Sequence, residues 1–314
     1  MNNKLDERAS GVFVIAVTPF TDDGRIDEAS IDRVVEFYLE KGVSGITVLG
    51  MMGEAHKLTS DESRLVLDRY MKRVNGRVPV VVGVSAAGTD PLVQFADEAM
   101  GQGAAGLMLA PVPTVRTEEQ IYGYFSEVLD RLGDAPVVLQ DFPLVTNVNI
   151  SVGTIRRIVD RYPNVVMFKH EDWPGHNKLS RLLAAEGRKI SILVGNGGLY
   201  LPQELRRGAH GAMTGFAYPE MLVEVCAHFA RGEAEQGEDL YDIYLPLLRH
   251  EAMPVIGIAL RKEMLRRRGA IASAHVRSPG PRLNAEDHRE LDSLNGRLMR
   301  RLAQSGASLA RAAS

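Results

Sequence analysis

The sequence predicts an α/β fold, a (β/α)8 TIM barrel followed by a C-terminal helical extension. Eight short apolar runs rich in β-branched residues recur along the chain, and segments with helical apolar spacing lie between them. Helices between strands force parallel pairing, and eight such units favour a closed barrel. The rival, an open doubly wound sheet, usually begins with a glycine-rich phosphate turn, whereas here the first run continues as VTPFTDDG.

The predicted strands are apolar throughout, as expected when both faces of a strand are buried. In chain order they are GVFVIAV from Gly11, GITVLG from Gly45, VPVVVGV from Val78, AGLMLA from Ala105, APVVLQ from Ala135, NVVMFK from Asn164, ISILVG from Ile190 and GAMTG from Gly211. Residues 30–39, 62–71 and 118–132 have helical apolar spacing, and from about Pro219 the pattern is wholly helical.

The predicted domain organisation is a single structural domain. We expect the barrel over residues 11–218, its last helix and the helical extension over residues 219–304, and a frayed tail over residues 305–314. The composition, 45% hydrophobic and 25% charged, is that of an ordinary globular protein and excludes a disordered or fibrous chain.

Charge and hydropathy narrow the range of partners and locations. A net charge of -3 without a long basic run gives little reason to bind nucleic acid or an anionic membrane. No apolar run approaches the roughly 20 residues of a membrane helix, so we expect a cytoplasmic protein. The single cysteine, Cys226, excludes an internal disulfide and a thiolate metal cluster, and we expect it to be a small core residue.

In a barrel of this kind, reactive side chains are expected at the carboxyl ends of the strands. Lys169 alone among the eight lysines ends an apolar run. In an apolar setting the ammonium is disfavoured, and a neutral amine can attack a carbonyl to form an imine. The alternative is a lysine that extends from the barrel rim or pairs with the neighbouring Glu171 or Asp172.

A second candidate is the turn after the second run, Gly50-Met51-Met52-Gly53. The flanking glycines permit a tight turn whose backbone N–H groups converge on an anion, such as the carboxylate of a keto acid. Glu54 follows directly and is either a base or an anchor for the loop.

Further candidates follow the fifth, seventh and eighth runs. Gln140 ends the fifth run, and Gly197 and Thr214 are expected to line the substrate site. For Gly197 the alternative is a turn that merely needs a positive φ. Neither an HxH nor an HExxH spacing accompanies His170, so we expect no metal site.

Taken in order, these motifs resemble the dihydrodipicolinate synthase and N-acetylneuraminate lyase family of class I aldolase barrels. The resemblance covers roughly residues 11–283 through VTPFTDDGRID, GMMGEAHKLTSDE, FKHE, VGNGG and GAHGAMTG. It implies that Lys169 is the imine lysine with no other cofactor, and that residues 50–53 bind a small 2-keto acid through its carboxylate. It also implies a homo-oligomer, with a tetramer favoured.

Several positions depart from the family pattern. Its YNxP motif reads QDFP here, so Gln140 replaces a tyrosine that relays protons, and Val145 replaces an expected arginine. Met51 and Met52 replace two hydroxyl residues, and the segment APVPTVRT lacks another family tyrosine. Because glutamine does not titrate in the working range, these departures argue against lysine biosynthesis and sialic acid cleavage.

Within the family, several motifs resemble those of the L-2-keto-3-deoxyarabonate dehydratase subgroup. They are QDFP, FKHE with PGHNKL, YLPLLRHE and RRGAIAS. We therefore predict a Schiff-base-forming lyase that dehydrates a 2-keto-3-deoxy sugar acid of the pentonate type. Gln140 would bind a substrate hydroxyl or a water, and Glu54, Glu171 or an ordered water would carry the proton. The alternatives are a pyruvate-dependent aldolase, a condensing synthase and a non-catalytic keto-acid-binding barrel.

Overall fold

The computed structural model describes residues 4–305, and its eight strands form one closed barrel in which each strand pairs in parallel with the next and β8 closes on β1. The strands are β1 Gly11–Ile15, β2 Gly45–Val48, β3 Val80–Gly83, β4 Gly106–Leu109, β5 Val137–Asp141, β6 Val165–His170, β7 Ser191–Val194 and β8 Gly211–Thr214. Each of the eight predicted runs coincides with one strand, although β5 and β6 end one residue beyond their runs, and this confirms the (β/α)8 barrel.

Helices follow the strands around the outside of the barrel. They are α1 Glu28–Glu40, α2 Ser60–Val74, α3 Thr89–Gly101, α4 Glu118–Leu132, α5 Pro143–Thr146, α6 Val152–Arg161, α7 His176–Ala184, α8 Leu201–Arg206 and α9 Pro219–Ala230. The extension consists of α10 Ala234–Glu251, α11 Gly257–Arg267 and α12 Ala285–Ser305. Of the predicted frayed tail, Ser305 ends α12, and residues 306–314 lie outside the described residues.

Local sequence fixes where several helices begin. Thr59 and Glu62 form a reciprocal capping box at the start of α2, and Thr117 and Gln120 do the same for α4. Each box satisfies two backbone N–H groups that have no partner within the helix. These caps fix the point at which the chain leaves the loops at the carboxyl ends of β2 and β4.

The core has two layers because strand residues alternate between the two faces of the sheet. One layer, between sheet and helices, contains the side chains that face outward from the barrel. The other fills the barrel interior and includes Val138, Met167, Leu193 and Met213. Alternation from Val138 and Met167 directs the side chains two residues further along, at the carboxyl end, into the mouth of the barrel.

Cys226 lies on α9, partly buried and packed against the outer layer of the core. Burial raises the pKa of its thiol to about 12, so the thiol stays protonated and unreactive. Within residues 4–305 no helix is long and apolar enough to span a bilayer.

Candidate active site

A lysine, a glutamate and a glutamine meet at the carboxyl ends of β5 and β6. The ammonium of Lys169 lies 3.0 Å from Oε2 of Glu171, and the Gln140 amide donates to the same oxygen at 2.7 Å. The three residues are 4%, 5% and 6% exposed. One carboxylate oxygen therefore forms an ion pair with a charged amine and accepts a hydrogen bond from a neutral amide, away from bulk water.

The register of the sheet places these three side chains next to one another. Gln140 and Lys169 are direct partners across β5 and β6 and have the parity of interior residues. Glu171 follows the end of β6, and its N–H donates to the Asp141 carbonyl at 2.9 Å. A Cβ on Gly195, after β7, would overlap the Glu171 side chain. Glycine at this position therefore leaves the space that Glu171 needs to turn toward Lys169.

The predicted anion turn lies over the barrel interior. A Cβ at Gly50 would come within 3.4 Å of Ile15 and 3.5 Å of Met108. Met51 begins a short 3-10 turn, and its N–H and that of Met52 make no hydrogen bond to any other part of the described chain. Two backbone donors are thus free for a ligand, while the Gly53 carbonyl is fixed by the Thr18 hydroxyl at 2.6 Å.

Glu54 is fully buried and occupied elsewhere. Its Oε1 accepts from Lys262 at 2.5 Å, and its Oε2 accepts from Lys57 and from the backbone N–H of Arg277, both at 3.0 Å. The C-terminal extension engages both carboxylate oxygens, and Lys57, just after the turn, engages Oε2 as well. Of the two roles left open for Glu54, the geometry favours the anchor over the base.

The last two predicted site residues lie outside the Lys169 cluster. Gly197 has a φ of 69°, the left-handed conformation that glycine adopts without strain, as the turn alternative requires. Thr214 is buried on β8, and alternation with the interior Met213 directs its side chain to the outer face. Its methyl group lies 3.8 Å from the position of a Cβ on Gly198.

A second charged cluster, which the sequence reasoning missed, lies on the opposite face of the β5 and β6 ends. Lys178 of α7 contacts Asp141 at 2.5 Å and Asp172 at 3.1 Å. Burial raises the pKa of Asp141 to about 6, although Lys178 opposes the shift. Burial lowers the pKa of the adjacent His170 to about 4, so its ring is neutral near pH 7 and Nε2 donates to the Gly175 carbonyl at 3.0 Å.

Chemically, the cluster at the barrel mouth offers a primary amine, a carboxylate beside it and an amide that binds the same carboxylate. The amine can condense with a ketone, and the carboxylate can accept or return a proton. Across residues 4–305, no three His, Cys, Asp or Glu side chains converge in a way that could hold a metal ion.

Comparison with known proteins shows several relatives that match nearly the whole chain. L-2-keto-3-deoxyarabonate dehydratase from Azospirillum brasilense is 31% identical over 303 residues, covering 95% of this chain and 97% of its own. A 4-hydroxy-tetrahydrodipicolinate synthase from Psychrobacter sp. is 29% identical, covering 93% and 97%. The crystal structure of dihydrodipicolinate synthase from Rhodopseudomonas palustris superposes with a TM-score of 0.91 at 45% identity, covering 94% and 99%.

The family model for the dihydrodipicolinate synthetase family matches residues 8–295, which include the barrel strands and most of the extension. The match includes the strand that carries Lys169, the turn at residues 50–53 and α11, whose Lys262 binds the Glu54 carboxylate. On this evidence, which agrees with the motifs, the chain belongs to the dihydrodipicolinate synthetase family.

Proposed function

We propose that this family member is a Schiff-base-forming lyase that removes water from a 2-keto-3-deoxy sugar acid, with 2-keto-3-deoxypentonates as the substrate class. The observation that carries the proposal is the shared oxygen of Glu171, which contacts Lys169 and Gln140 together. An amine with a carboxylate at 3.0 Å has a proton acceptor in place. The dehydratase name of the Azospirillum brasilense relative supports the same reaction class.

In this proposal, Glu171 first takes a proton from the Lys169 ammonium, and the free amine attacks the C2 carbonyl of the substrate. The carbonyl oxygen receives one proton from the amine nitrogen and one from Glu171 and leaves as water, which gives a protonated imine that draws electrons from C3. Glu171, once it has released its first proton, takes a proton from C3 to give an enamine. The same residue then protonates the C4 hydroxyl, which leaves as a second water.

Elimination leaves a double bond between C3 and C4, still conjugated with the imine. Moving one proton from C5 to C3 produces the enol of an aldehyde, which becomes the aldehyde when the enol O–H proton moves to C4. Hydrolysis of the imine then consumes one water and restores Lys169. The balance is one substrate to one dioxo acid and one water, with every carbon retained. Gln140 holds the carboxylate of Glu171 throughout, a task that needs a hydrogen-bond donor and no titrating group.

The substrate carboxylate is assigned to the turn after β2. The N–H groups of Met51 and Met52 have no other hydrogen-bond acceptor within residues 4–305, and the turn lies over the barrel interior. Two aligned donors hold a carboxylate without a side-chain hydroxyl and orient C2 toward the amine. The methionine side chains therefore leave the binding of the anion to the backbone.

A second candidate is the condensation named for the Rhodopseudomonas palustris structure, which is favoured by 45% identity over 94% of this chain. Against it stands Gln140, at the position where the family motif has its proton-relaying tyrosine. A glutamine cannot relay protons as a phenol does. The hydrogen bond of Gln140 to Glu171 suits a reaction in which the carboxylate moves the protons.

Product analysis separates these reactions. The purified protein is incubated with both C4 epimers of 2-keto-3-deoxypentonate, and with pyruvate plus an aldehyde, and the products are identified by mass spectrometry. The proposal predicts a dioxo acid that retains all five substrate carbons. Pyruvate with a two-carbon aldehyde would show an aldolase, and turnover with pyruvate plus aldehyde alone would show a condensing enzyme. Binding without turnover of any substrate would favour a non-catalytic barrel.

A further inference from the structure

Lys178 joins three chain segments behind the candidate active site. It projects from the first turn of α7, and its ammonium lies between Asp141 at the end of β5 and Asp172 in the loop after β6. Asp141 is fully buried, and the Lys178 side chain is 11% exposed. The cluster is therefore part of the packed interior and differs from a solvated surface ion pair.

This cluster and the Lys169 cluster lie on opposite faces of the β5 and β6 ends. Gln140 and Asp141 are consecutive on β5, and so are Lys169 and His170 on β6, so alternation directs one of each pair inward and the other outward. Asp141 connects the two clusters, because its carboxylate binds Lys178 while its carbonyl accepts from the N–H of Glu171 at 2.9 Å.

Lys169 and Glu171 are held in different ways. Lys169 lies within β6 and is fixed by pairing with both neighbouring strands. Glu171 lies beyond the end of β6, in the loop that leads to Asp172 and α7. Strand pairing therefore fixes the amine, whereas the carboxylate depends on the path of this loop.

We propose that Lys178 is a positioning residue for the dehydration, clamping the loop after β6 to the end of β5 so that Glu171 reaches back to Lys169. The inference rests on the proposed function, since it gives Glu171 the proton transfers. Without Lys178, Asp141 and Asp172 lose their shared cation, and the hydrogen bonds of Glu171 to Asp141 and Gln140 are left to hold this part of the loop against β5. A displacement of about 1 Å at a reacting group costs on the order of 100-fold in rate.

The test compares Lys178→Met and Lys178→Arg with the parent protein in steady-state dehydration of a 2-keto-3-deoxypentonate and in borohydride trapping with pyruvate. For Lys178→Met we expect kcat to fall about 100-fold with KM changed by less than about threefold. Trapping at Lys169 should remain at parental stoichiometry, because strand pairing fixes that lysine. Lys178→Arg, which keeps the cation, should recover most of kcat.

Lys72→Met is the matched control, because Lys72 also pairs with an aspartate, at 2.8 Å, but on the exposed surface of α2. If Lys178→Met does not fold, Asp172→Asn removes one arm of the clamp at a partly exposed side chain, and we expect kcat to fall about tenfold.

A folded Lys178→Met or Asp172→Asn variant with parental kcat would overturn the inference. So would an equal loss of kcat and of trapping, which would indicate a general distortion of the site. If the parent protein dehydrates no keto acid, the proposed function itself fails, a result visible before any variant is made.

Discussion

The molecule contains two buried lysine–glutamate pairs in which chemically equivalent partners do different work. Lys169 and Glu171 lie 3.0 Å apart at the barrel mouth, and Lys262 and Glu54 lie 2.5 Å apart between the β2 turn and α11. All four side chains are less than a tenth exposed. Burial and pairing alone therefore do not distinguish a reactive pair from an anchor.

The two pairs differ in how many other groups bind the lysine and the glutamate. Both oxygens of Glu54 accept hydrogen bonds, and Lys262 also donates to the His275 carbonyl at 2.9 Å and lies 4.3 Å from the centre of the Phe20 ring. At Glu171, Oε1 makes no hydrogen bond to any residue the structure describes, and Lys169 has Glu171 as its ion-pair partner. The saturated pair holds two segments together, whereas the unsaturated pair is the one that, in the proposed function, exchanges protons with a substrate.

The first prediction concerns Glu171, the proposed proton carrier at the mouth of the barrel. In Glu171→Gln, we expect kcat for dehydration to fall by about 10²–10⁴-fold, because an amide cannot take the C3 proton. Borohydride trapping at Lys169 should persist, since pairing of β6 with both neighbouring strands holds Lys169 in place without Glu171. Steady-state rates and the mass of the trapped protein measure the two effects.

Glu127→Gln, at an exposed position on α4, provides the control for charge removal. A Glu171→Gln variant with a parental rate would show that water or another residue carries the proton, and the two glutamate pairs would then not differ in the way described.

The second prediction concerns the saturated pair. Lys262→Met leaves Glu54 buried without its principal cation, and breaking a buried pair in this way costs about 3–5 kcal/mol of stability. Differential scanning calorimetry should show a lower unfolding temperature, while Lys72→Met on the surface changes stability by only about 0.5 kcal/mol or less. Unchanged stability of Lys262→Met accompanied by loss of catalysis would assign this pair to the chemistry instead of the architecture.

Glu204 on α8 extends the comparison because it is a buried glutamate with no ion-pair partner among residues 4–305. Burial raises the pKa of its carboxyl to about 8, from 4.5 for an exposed glutamate, so the folded state retains a proton that the unfolded state has released. The contribution of this group to the free energy of unfolding is therefore at its maximum below about pH 4.5 and falls progressively as the pH rises to about 8.

Glu204→Gln removes that dependence. Because glutamine still buries a polar amide, we expect the variant to unfold only about 2–4 °C above the parent at pH 8, and at the same temperature as the parent at pH 4.5. Thermal unfolding at both pH values, with Glu127→Gln alongside, measures the difference. An equal shift at both pH values would show that proton release from Glu204 does not cause it.

The barrel could be predicted from the sequence because its signal is local and repeated. Eight continuous apolar runs with helical spacing between them identify buried parallel strands without any knowledge of which residues touch. Lys169 could be identified from an equally local signal, since it is a charged residue at the end of an otherwise apolar run.

The pairing of Glu54 with Lys262 could not be found in this way because the two residues are 208 positions apart in the chain. One signal was available, since Lys262 has helical spacing to two apolar residues of α11, three after Ala259 and three before Leu265. Lys178 had no such signal. Its importance depends on the loop path after β6 that brings it to Asp141, which no local pattern encodes.

Reductive trapping tests the central claim most directly. The parent protein is incubated with a 2-keto-3-deoxypentonate or pyruvate, reduced with borohydride, digested and mapped by peptide mass spectrometry. We predict one adduct, on the peptide that contains Lys169, and no adduct in Lys169→Ala. An adduct on Lys178, Lys262 or another lysine, or full activity in Lys169→Ala, would contradict the assignment of the reactive pair.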